Sequence, residues 1–315
     1  MKKSIDFLIT QNCNYRCEYC SQSKKFAKGN FESASDETIL AFLNLLNRLP
    51  KDYEITISGG EPFCHNKFLY LVEEIIKKGF KISVVSNFSF PIENYKKLKD
   101  ITGDNLVELF VSLHLTQVKD LDDFLAKAEE FNTYKGNSNF VVASVLSDEN
   151  CSTLKEVSKF MKENNINFEL QHMRIKNSFV EYKNEASDFI KEFPISKIKE
   201  KSNTYGNICY AGQNFFIIYQ NGECYRCYSS RFNKIHSMGN IKDKNFKIYD
   251  KPLPCLNKNC TCPKPIINGL IEYDNKKVGL ANLLGIYNLL FMPYFVIKNF
   301  EIIKTKLIQG KNFKK

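Results

Sequence analysis

The sequence predicts an α/β fold, a parallel sheet covered by helices, followed by a small cysteine-rich domain. Within residues 4–171, short apolar runs of strand length alternate with longer segments whose apolar residues recur at helical spacing. Strands that alternate with helices pair in parallel, because each helix carries the chain back to the starting end of the sheet. Beyond residue 200 the composition shifts to Gly, Tyr and Cys, which marks a second unit.

The elements of the sheet follow in order along the chain. The predicted strands are residues 4–10, 54–57, 81–85, 106–113, 139–145 and 167–171. The predicted helices between them are residues 36–49, 68–78, 92–98, 120–131 and 152–164. Ser35 or Asp36 is suited to cap the first helix, and Gly79 is suited to end the second. With right-handed crossovers such a sheet can curl into a barrel, whose sites lie at the carboxyl ends of the strands.

A β-hairpin is predicted in the cysteine-rich segment. Residues 215–219 and 223–228 have strand composition and flank Asn221-Gly222, a pair that is strongly favoured in two-residue hairpin turns. We therefore expect three units: a barrel domain in residues 1–185, a cysteine-rich domain in residues 200–270 and a helical tail in residues 271–315.

Composition and charge bound the class of protein. With 315 residues and 43% hydrophobic content, the chain can bury a sizeable core. Met1-Lys2-Lys3 runs straight into a strand pattern rather than a signal peptide, so we expect a cytoplasmic protein. Its 11 cysteines would then serve metal or redox chemistry rather than disulfides. The net charge of +10 comes from Lys residues spread over helical segments beside acidic residues, so no nucleic-acid partner is expected.

A metal site is predicted directly after the first strand. Cys13, Cys17 and Cys20 have C-x3-C-x2-C spacing, and three protein thiolates leave one ligand position to be filled. A structural zinc ion takes four ligands, and the nearest histidine, His65, lies far along the sequence. A cubane iron–sulfur cluster held through three of its irons keeps the fourth iron open for an outside ligand. The spacing therefore favours an iron–sulfur cluster.

With the aromatic Tyr19 before its last cysteine, this motif resembles the signature of the radical S-adenosylmethionine (SAM) superfamily. The resemblance implies a partial (β/α)6 TIM barrel, a [4Fe-4S] cluster on the three cysteines, and SAM bound to the open iron. It also implies that an electron from a low-potential donor, flavodoxin or ferredoxin, cleaves SAM to a 5'-deoxyadenosyl radical. Tyr19 would pack beside the adenine.

A second motif follows the second predicted strand: Gly59, Gly60, Glu61 and Pro62. Physically, the two glycines allow the backbone to approach a ligand closely, and the carboxylate can accept from a cationic ammonium group. The resemblance implies that this motif holds the amino group of SAM.

Further polar residues lie at the ends of the third, fourth and sixth predicted strands: Ser86, Asn87, Ser112, His114, Gln171 and Arg174. The resemblance implies that those after strands three and four contact the carboxylate or ribose of SAM, although the family more often has an Asp near His114. Arg174 is suited to bind a carboxylate through a bidentate fork. An ordinary polar strand end is the alternative for each of them.

The C-terminal cysteines predict a second metal site. Cys209 and Cys227 bracket the hairpin as C-x12-G-x4-C, which resembles the opening of the SPASM or shorter twitch extension of radical SAM enzymes. The resemblance implies one auxiliary [4Fe-4S] cluster, completed by Cys255, Cys260 and Cys262. One cluster needs four of these five thiols, and the sequence does not identify the fifth. A zinc ribbon is the alternative, because four thiolates suit zinc equally well.

Cys64 and Cys151 lie just past the second and fifth predicted strands. Radical SAM epimerases quench a substrate radical with a thiol hydrogen, so the resemblance makes these two residues candidate catalytic donors. The alternative is that each is an ordinary buried cysteine.

The tail contains an uncharged run, residues 278–297, that is interrupted by Gly279, Gly285 and Pro293. A spanning helix is therefore doubtful, but the basic amphipathic end that follows suits an anionic membrane face. Peripheral contact with the inner membrane face is one expectation for the tail, and packing against the barrel or a partner is the other.

Together these features predict a radical SAM oxidoreductase or maturase-like enzyme with a small-molecule or peptide substrate. It would abstract hydrogen from a C–H bond of a peptide or carbohydrate-like substrate, in a dehydrogenation, epimerisation or cross-linking reaction. The alternative is a zinc-containing nucleic-acid-binding or tRNA-modifying protein, which the net charge of +10 would suit. That alternative does not account for three N-terminal thiols followed by Gly-Gly-Glu-Pro.

Overall fold

The structure, a computed structural model, describes residues 1–20, 29, 31–175, 178–193, 204–258, 260 and 269–271. Six parallel strands alternate with helices in its first half. The strands are β1 (Lys3–Thr10), β2 (Tyr53–Gly59), β3 (Lys81–Ser86), β4 (Leu106–Leu113), β5 (Asn139–Leu146) and β6 (Asn167–His172). The helices are α1 (Asp36–Asn47), α2 (Phe68–Lys77), α3 (Ile92–Thr102), α4 (Leu121–Tyr134) and α5 (Cys151–Glu163).

The second half contains shorter elements. In chain order they are β7 (Arg174–Ile175), β8 (Ser178–Phe179), α6 (Asn184–Phe189), β9 (Ile208–Cys209), β10 (Phe215–Ile218), β11 (Glu223–Tyr225), α7 (Tyr228–Phe232), β12 (Ser237–Asn240) and β13 (Leu253–Pro254). The main sheet has nine strands in the order β12-β11-β10-β1-β2-β3-β4-β5-β6. Because β12 and β6 remain its two edges in the described chain, the sheet is an open, partial barrel, and the predicted fold class is confirmed.

The two faces of the sheet differ in polarity, as alternating side chains on a strand require. On β1, Ile5, Phe7 and Ile9 are fully buried in the main core, and the Phe7 ring lies 4.5 Å from that of Phe42 on α1. The intervening Asp6 is buried on the opposite face. Its register neighbours across β2, β3 and β4 are Thr56, Ser83 and Glu108. The helices therefore cover an apolar face, and a polar face is left for the interior of the partial barrel.

The predicted hairpin is confirmed, and it joins the main sheet. β10 pairs in parallel with β1, with Ser4 opposite Phe215, and β11 and β12 add antiparallel strands beyond it. Gly222 occupies the turn at a φ of +86°, a conformation that glycine adopts without strain. β11 ends at Tyr225, and Tyr228 begins α7 instead of continuing the strand to residue 228. The cysteine-rich segment thus extends the same sheet as the barrel strands, and the domain boundaries stay predictions.

Helix ends follow the expected capping chemistry. The hydroxyl of Ser35 accepts from the backbone N–H of Thr38 at 3.2 Å and caps α1. Gly79, with a φ of +79°, follows α2. Of the helical tail predicted in residues 271–315, the structure describes Ile271, which forms an antiparallel β-bridge with Cys209. Residues 272–315 and Cys262 lie outside the described residues. No helix in the described part of the chain is long and apolar enough to cross a lipid bilayer.

Candidate active site

The three N-terminal cysteines lie in a loop that begins directly after Thr10, the last residue of β1, and that we call the cysteine loop (residues 11–20). The backbone N–H of Cys20 donates to the carbonyl of Cys17 at 3.1 Å, and that of Tyr15 donates to Cys13 Sγ at 3.4 Å. Burial, with smaller contributions from the neighbouring Cys20 and Cys13, raises the pKa of Cys17 to about 11. The thiols are therefore close enough to affect each other's charge, and metal binding would have to release their protons.

Gly59 and Gly60 pack directly against the start of the cysteine loop. The N–H of Gly60 donates to the carbonyl of Thr10 at 2.7 Å, and the N–H of Glu61 donates to that of Asn12 at 2.8 Å. A Cβ atom would lie 2.2 Å from Thr10 O at Gly59 and 2.1 Å from Asn12 O at Gly60. The structure thus gives a reason for these glycines that differs from close approach to a ligand: they let two loops of the protein meet.

Glu61 is fully buried and joins the loops that follow β2 and β3. Its Oε1 accepts from the N–H of Phe63 at 3.1 Å and from the hydroxyl of Ser86 at 3.0 Å, and its Oε2 accepts from the N–H of Asn87 at 2.6 Å. Burial raises the pKa of Glu61 to about 7, against the opposing effect of these donors. The carboxylate that was assigned to the SAM ammonium group from sequence therefore accepts from the protein itself. Pro62 begins the buried 3-10 turn that follows.

Asn87 connects the end of β3 to the cysteine loop. Its Nδ2 donates to Asn14 Oδ1 at 2.8 Å and lies 3.7 Å from Cys13 Sγ. Its Oδ1 accepts from the hydroxyl of Ser89 at 2.6 Å, and Asn14 Nδ2 donates to the same hydroxyl at 2.7 Å. This network fixes the orientation of Asn87 beside a predicted cluster ligand.

His114, at the end of β4, contacts the aromatic residues of the cysteine loop. Its Nδ1 is hydrogen-bonded to the hydroxyl of Tyr19 at 2.8 Å, and its ring centre lies 6.0 Å from that of Tyr15. Burial lowers the pKa of His114 to about 4, so the ring is neutral at pH 7. Burial also raises the pKa of Tyr19, which keeps its proton. Ser112 lies two residues before His114 on β4 and is half-buried.

The end of β6 contributes Gln171, which is half-buried and pairs in register with Val145. Arg174 lies in β7, opposite Phe179 of β8, and its side chain is outside the described part of the structure.

The sequence analysis missed Glu169, which lies two residues before Gln171 on β6. Glu169 pairs in register with Ala143, which pairs with Ser112 of β4, so it lies on the same polar face as Glu108. Burial raises the pKa of Glu169, and Glu108 adds to the effect. Strand alternation was the available signal, because Leu170 between the two polar residues of β6 is fully buried.

The family model described as the radical SAM superfamily matches residues 7–142, which contain the cysteine loop, Gly59 to Pro62, Asn87 and His114. This match identifies residues 7–142 as a radical SAM domain. The match implies SAM and a [4Fe-4S] cluster as the cofactors of that domain.

Known proteins resemble this chain in sequence and in fold. The S-adenosylmethionine-dependent nucleotide dehydratase of Selenomonas ruminantium is 33% identical over 92 residues, or 28% of this chain and 31% of that protein. Matches to the first curated relatives span 31%, 41% and 46% of their lengths, so the chain spans less than half of each.

The structure of SuiB from Streptococcus suis bound to SAM has a TM-score of 0.57 at 13% identity, covering 78% of this chain and 65% of SuiB. The structure of anSMEcpe with bound AdoMet has a TM-score of 0.55 at 18% identity, covering 79% of this chain and 80% of anSMEcpe. At such low sequence identity, these two similarities are evidence for a shared fold alone.

The two candidate hydrogen donors lie in different surroundings. Cys64 ends the 3-10 turn after Glu61, where burial, with smaller contributions from the nearby Glu61 and Cys13, raises its pKa to about 11. Cys64 therefore lies near the cysteine loop. Cys151 begins α5 and is buried in a hydrophobic cluster with Leu154 and Phe189. Of the two cysteines, only Cys64 therefore lies beside the cysteine loop, and Cys151 lies in a separate hydrophobic cluster.

Four of the five C-terminal thiols that were predicted to bind metal are buried together. One hydrophobic cluster contains Cys209, Cys227, Cys255 and Cys260, which we call the auxiliary thiols. The N–H of Ala211 donates to Cys209 Sγ at 3.5 Å, and the N–H of Ser230 donates to Cys227 Sγ at 3.4 Å. Cys224, three residues before Cys227, is fully buried in the main core instead, where it packs as a small apolar side chain.

The donor sets fit the [4Fe-4S] cluster that the radical SAM match implies at the cysteine loop and the auxiliary cluster that the sequence predicts. Backbone N–H groups donate to the sulfurs of Cys13, Cys209 and Cys227, and such bonds stabilise thiolate ligands and tune cluster potentials. Among the residues described, no group of three His, Cys, Asp or Glu side chains is arranged to hold a metal ion in this structure. Burial raises the pKa of Cys209 to about 12, so its thiol is protonated. Binding would have to remove such protons and draw the sulfurs together.

Proposed function

We propose that this chain is a radical SAM enzyme that abstracts hydrogen from a C–H bond of a peptide or carbohydrate-like substrate and carries one auxiliary [4Fe-4S] cluster. The observation that carries the proposal is the presence of two separate groups of thiols on one sheet. The cysteine loop follows β1, and the auxiliary thiols lie around β10 and β11. These two strands extend the sheet on the side of β1 that is opposite β2.

When bound, SAM and its [4Fe-4S] cluster supply the radical chemistry, with an electron from a flavodoxin or ferredoxin. The residues of this chain position and enclose these groups. Gly60 and Glu61 hold the cysteine loop through main-chain bonds to Thr10 and Asn12. Asn87 orients the loop beside Cys13, and neutral His114 fixes the ring of Tyr19. Each contact reduces the freedom of a residue that would touch SAM or its cluster.

The polar interior of the partial barrel supports the choice of substrate class. Asp6, Thr56, Glu108 and Glu169 come from four different strands and offer oxygen acceptors to hydroxyl, amide or amino groups. SuiB, which shares this fold with a TM-score of 0.54, has been crystallised with its precursor peptide SuiA. The dehydratase relative is named for nucleotides, so nucleotides belong in the substrate panel as a second class.

The first test is anaerobic reconstitution of the full chain. We expect about eight irons per chain, two cubanes' worth, and conversion of SAM to 5'-deoxyadenosine under dithionite. Bound zinc without SAM cleavage would favour the zinc protein instead. Cys17→Ala should abolish cleavage, whereas Cys227→Ala should keep cleavage but lose about four irons. Cys224→Ala is the matched control, because this cysteine lies in the main core, and it should keep both clusters.

The second test concerns the substrate. Genomic neighbours that encode a short precursor peptide or sugar-processing enzymes would supply the first compounds for the panel. Transfer of deuterium from a labelled substrate into 5'-deoxyadenosine would identify the C–H bond that is attacked. If Cys227→Ala turned over such a substrate at the wild-type rate, the auxiliary site would have no part in the reaction.

A further inference from the structure

Arg226 is a buried cation next to the auxiliary thiols, and its side chain is 2% exposed. Its Nε donates to the carbonyl of Ala211 at 2.7 Å, and one terminal nitrogen donates to the carbonyls of Cys209 at 2.9 Å and Leu253 at 2.8 Å. The other terminal nitrogen donates to Pro254 O at 3.0 Å and contacts His236 Nδ1 at 2.8 Å. A guanidinium group has five N–H donors and no acceptor, so these contacts use its full capacity.

The partners of Arg226 belong to the segments that carry the auxiliary thiols. It bonds the carbonyl of Cys209 itself, and that of Ala211, whose N–H donates to Cys209 Sγ. β13, which supplies two more carbonyls, ends immediately before Cys255. Cys227 is the next residue in the chain. One side chain therefore connects the backbone at three of the four auxiliary thiols.

The type of charge matters as well as the bonds. Taking a guanidinium group out of water is costly unless it is fully hydrogen-bonded. A lysine has a single nitrogen and cannot reach carbonyls in this forked arrangement. An iron–sulfur cluster bound by four thiolates is anionic, and nearby positive charge favours its more reduced state, because net charge is one of the factors that set cluster potentials.

We propose that Arg226 is a positioning residue of the auxiliary cluster: its five hydrogen bonds align the backbone that presents Cys209, Cys227 and Cys255, and its fixed charge raises the reduction potential of the cluster. This inference rests on the auxiliary cluster of the proposed function. The bonds and the charge make separable contributions, because lysine keeps the charge and loses the fork, whereas glutamine loses the charge.

The experiment isolates the auxiliary cluster in full-length protein in which Cys13, Cys17 and Cys20 are replaced by alanine. Iron and zinc content, far-UV circular dichroism and an EPR-monitored redox titration are measured after anaerobic reconstitution. In this background Arg226→Lys should lower the iron content to about half or less, with the potential of the loaded fraction unchanged. Arg226→Gln should shift the potential to lower values. Arg48→Gln removes an exposed guanidinium group from the end of α1 and should change neither quantity.

The outcomes separate this inference from the proposed function. Zinc, or no iron, in the unsubstituted background would refute the auxiliary cluster itself, whatever Arg226 does. A loaded cluster whose iron content and potential match in Arg226→Gln, Arg226→Lys and Arg48→Gln would refute the role of Arg226. If Arg226→Gln fails to fold by circular dichroism, the lysine variant decides: full loading would overturn the proposal, and reduced loading at an unchanged potential would support it.

Discussion

Replacing Glu61 with alanine tests whether this residue acts as a structural link or as a ligand of SAM. The change leaves the part-buried N–H of Phe63 and the buried N–H of Asn87 without an acceptor, whereas Ser86 keeps a hydroxyl partner in Tyr95 at 3.2 Å. A buried donor without a partner costs about 1–3 kcal/mol, so two donors predict a loss of about 2–6 kcal/mol in the free energy of unfolding.

The loss should depend on pH. Because burial raises the pKa of Glu61 from 4.5 to about 7, its contribution to stability is fully present below pH 4.5 and is lost as the pH rises through 7. The shift corresponds to about 3 kcal/mol. The variant lacks this titration, so the difference from wild type should be largest near pH 5 and smaller by about 3 kcal/mol at pH 8.

The assay is urea denaturation of SAM-free protein at both pH values, with Glu73→Ala as the control. Glu73 is an exposed glutamate on α2, and its replacement should change stability by less than about 0.5 kcal/mol. If Glu61→Ala unfolded like the control and lost only its affinity for SAM, the structural role of Glu61 would be refuted and the role inferred from sequence would stand.

Two further predictions concern the same site. Gly60→Ala should destabilise the protein by at least about 2 kcal/mol and reduce iron loading, because the added Cβ would lie 2.1 Å from Asn12 O. Gly79→Ala meets no atom within 4 Å, and only its φ of +79° is unfavourable, so denaturation should show a loss of about 1–2 kcal/mol with normal loading. Burial lowers the pKa of His114 to about 4, so its neutral ring contributes stability above pH 6.5 that is lost as the pH falls towards 4. His114→Gln should remove about 3 kcal/mol of this pH dependence in denaturation between pH 7 and 4.5, and an unchanged slope would contradict the assignment.

Local patterns in the sequence account for most of the sheet. The alternation in residues 106–113 predicted β4 to its last residue, and Asn221-Gly222 predicted the hairpin. The end of α3 was wrong: the helix continues past residue 98 to Thr102. Lys99 is buried there, and its Nζ donates to Gly103 O at 2.7 Å and Ser138 Oγ at 3.1 Å. A lysine in a helix is usually solvated, so only the contact with a distant segment reveals this extension.

The sequence by itself determined the match to the radical SAM family and predicted the cluster ligands, because the spacing of Cys13, Cys17 and Cys20 is a local property that can be recognised without the fold. Tertiary structure decided how that chemistry is held. Glu61 takes its partners from the end of another strand, and Gly60 packs against a loop nearly 50 residues earlier in the chain. Nothing in the sequence around Arg226 distinguishes it from a surface arginine. In the structure it is buried and donates hydrogen bonds to backbone carbonyls at residues 209–211 and 253–254. Contacts between segments that are distant in sequence arise only when the sheet forms, so these roles could not be predicted from the chain.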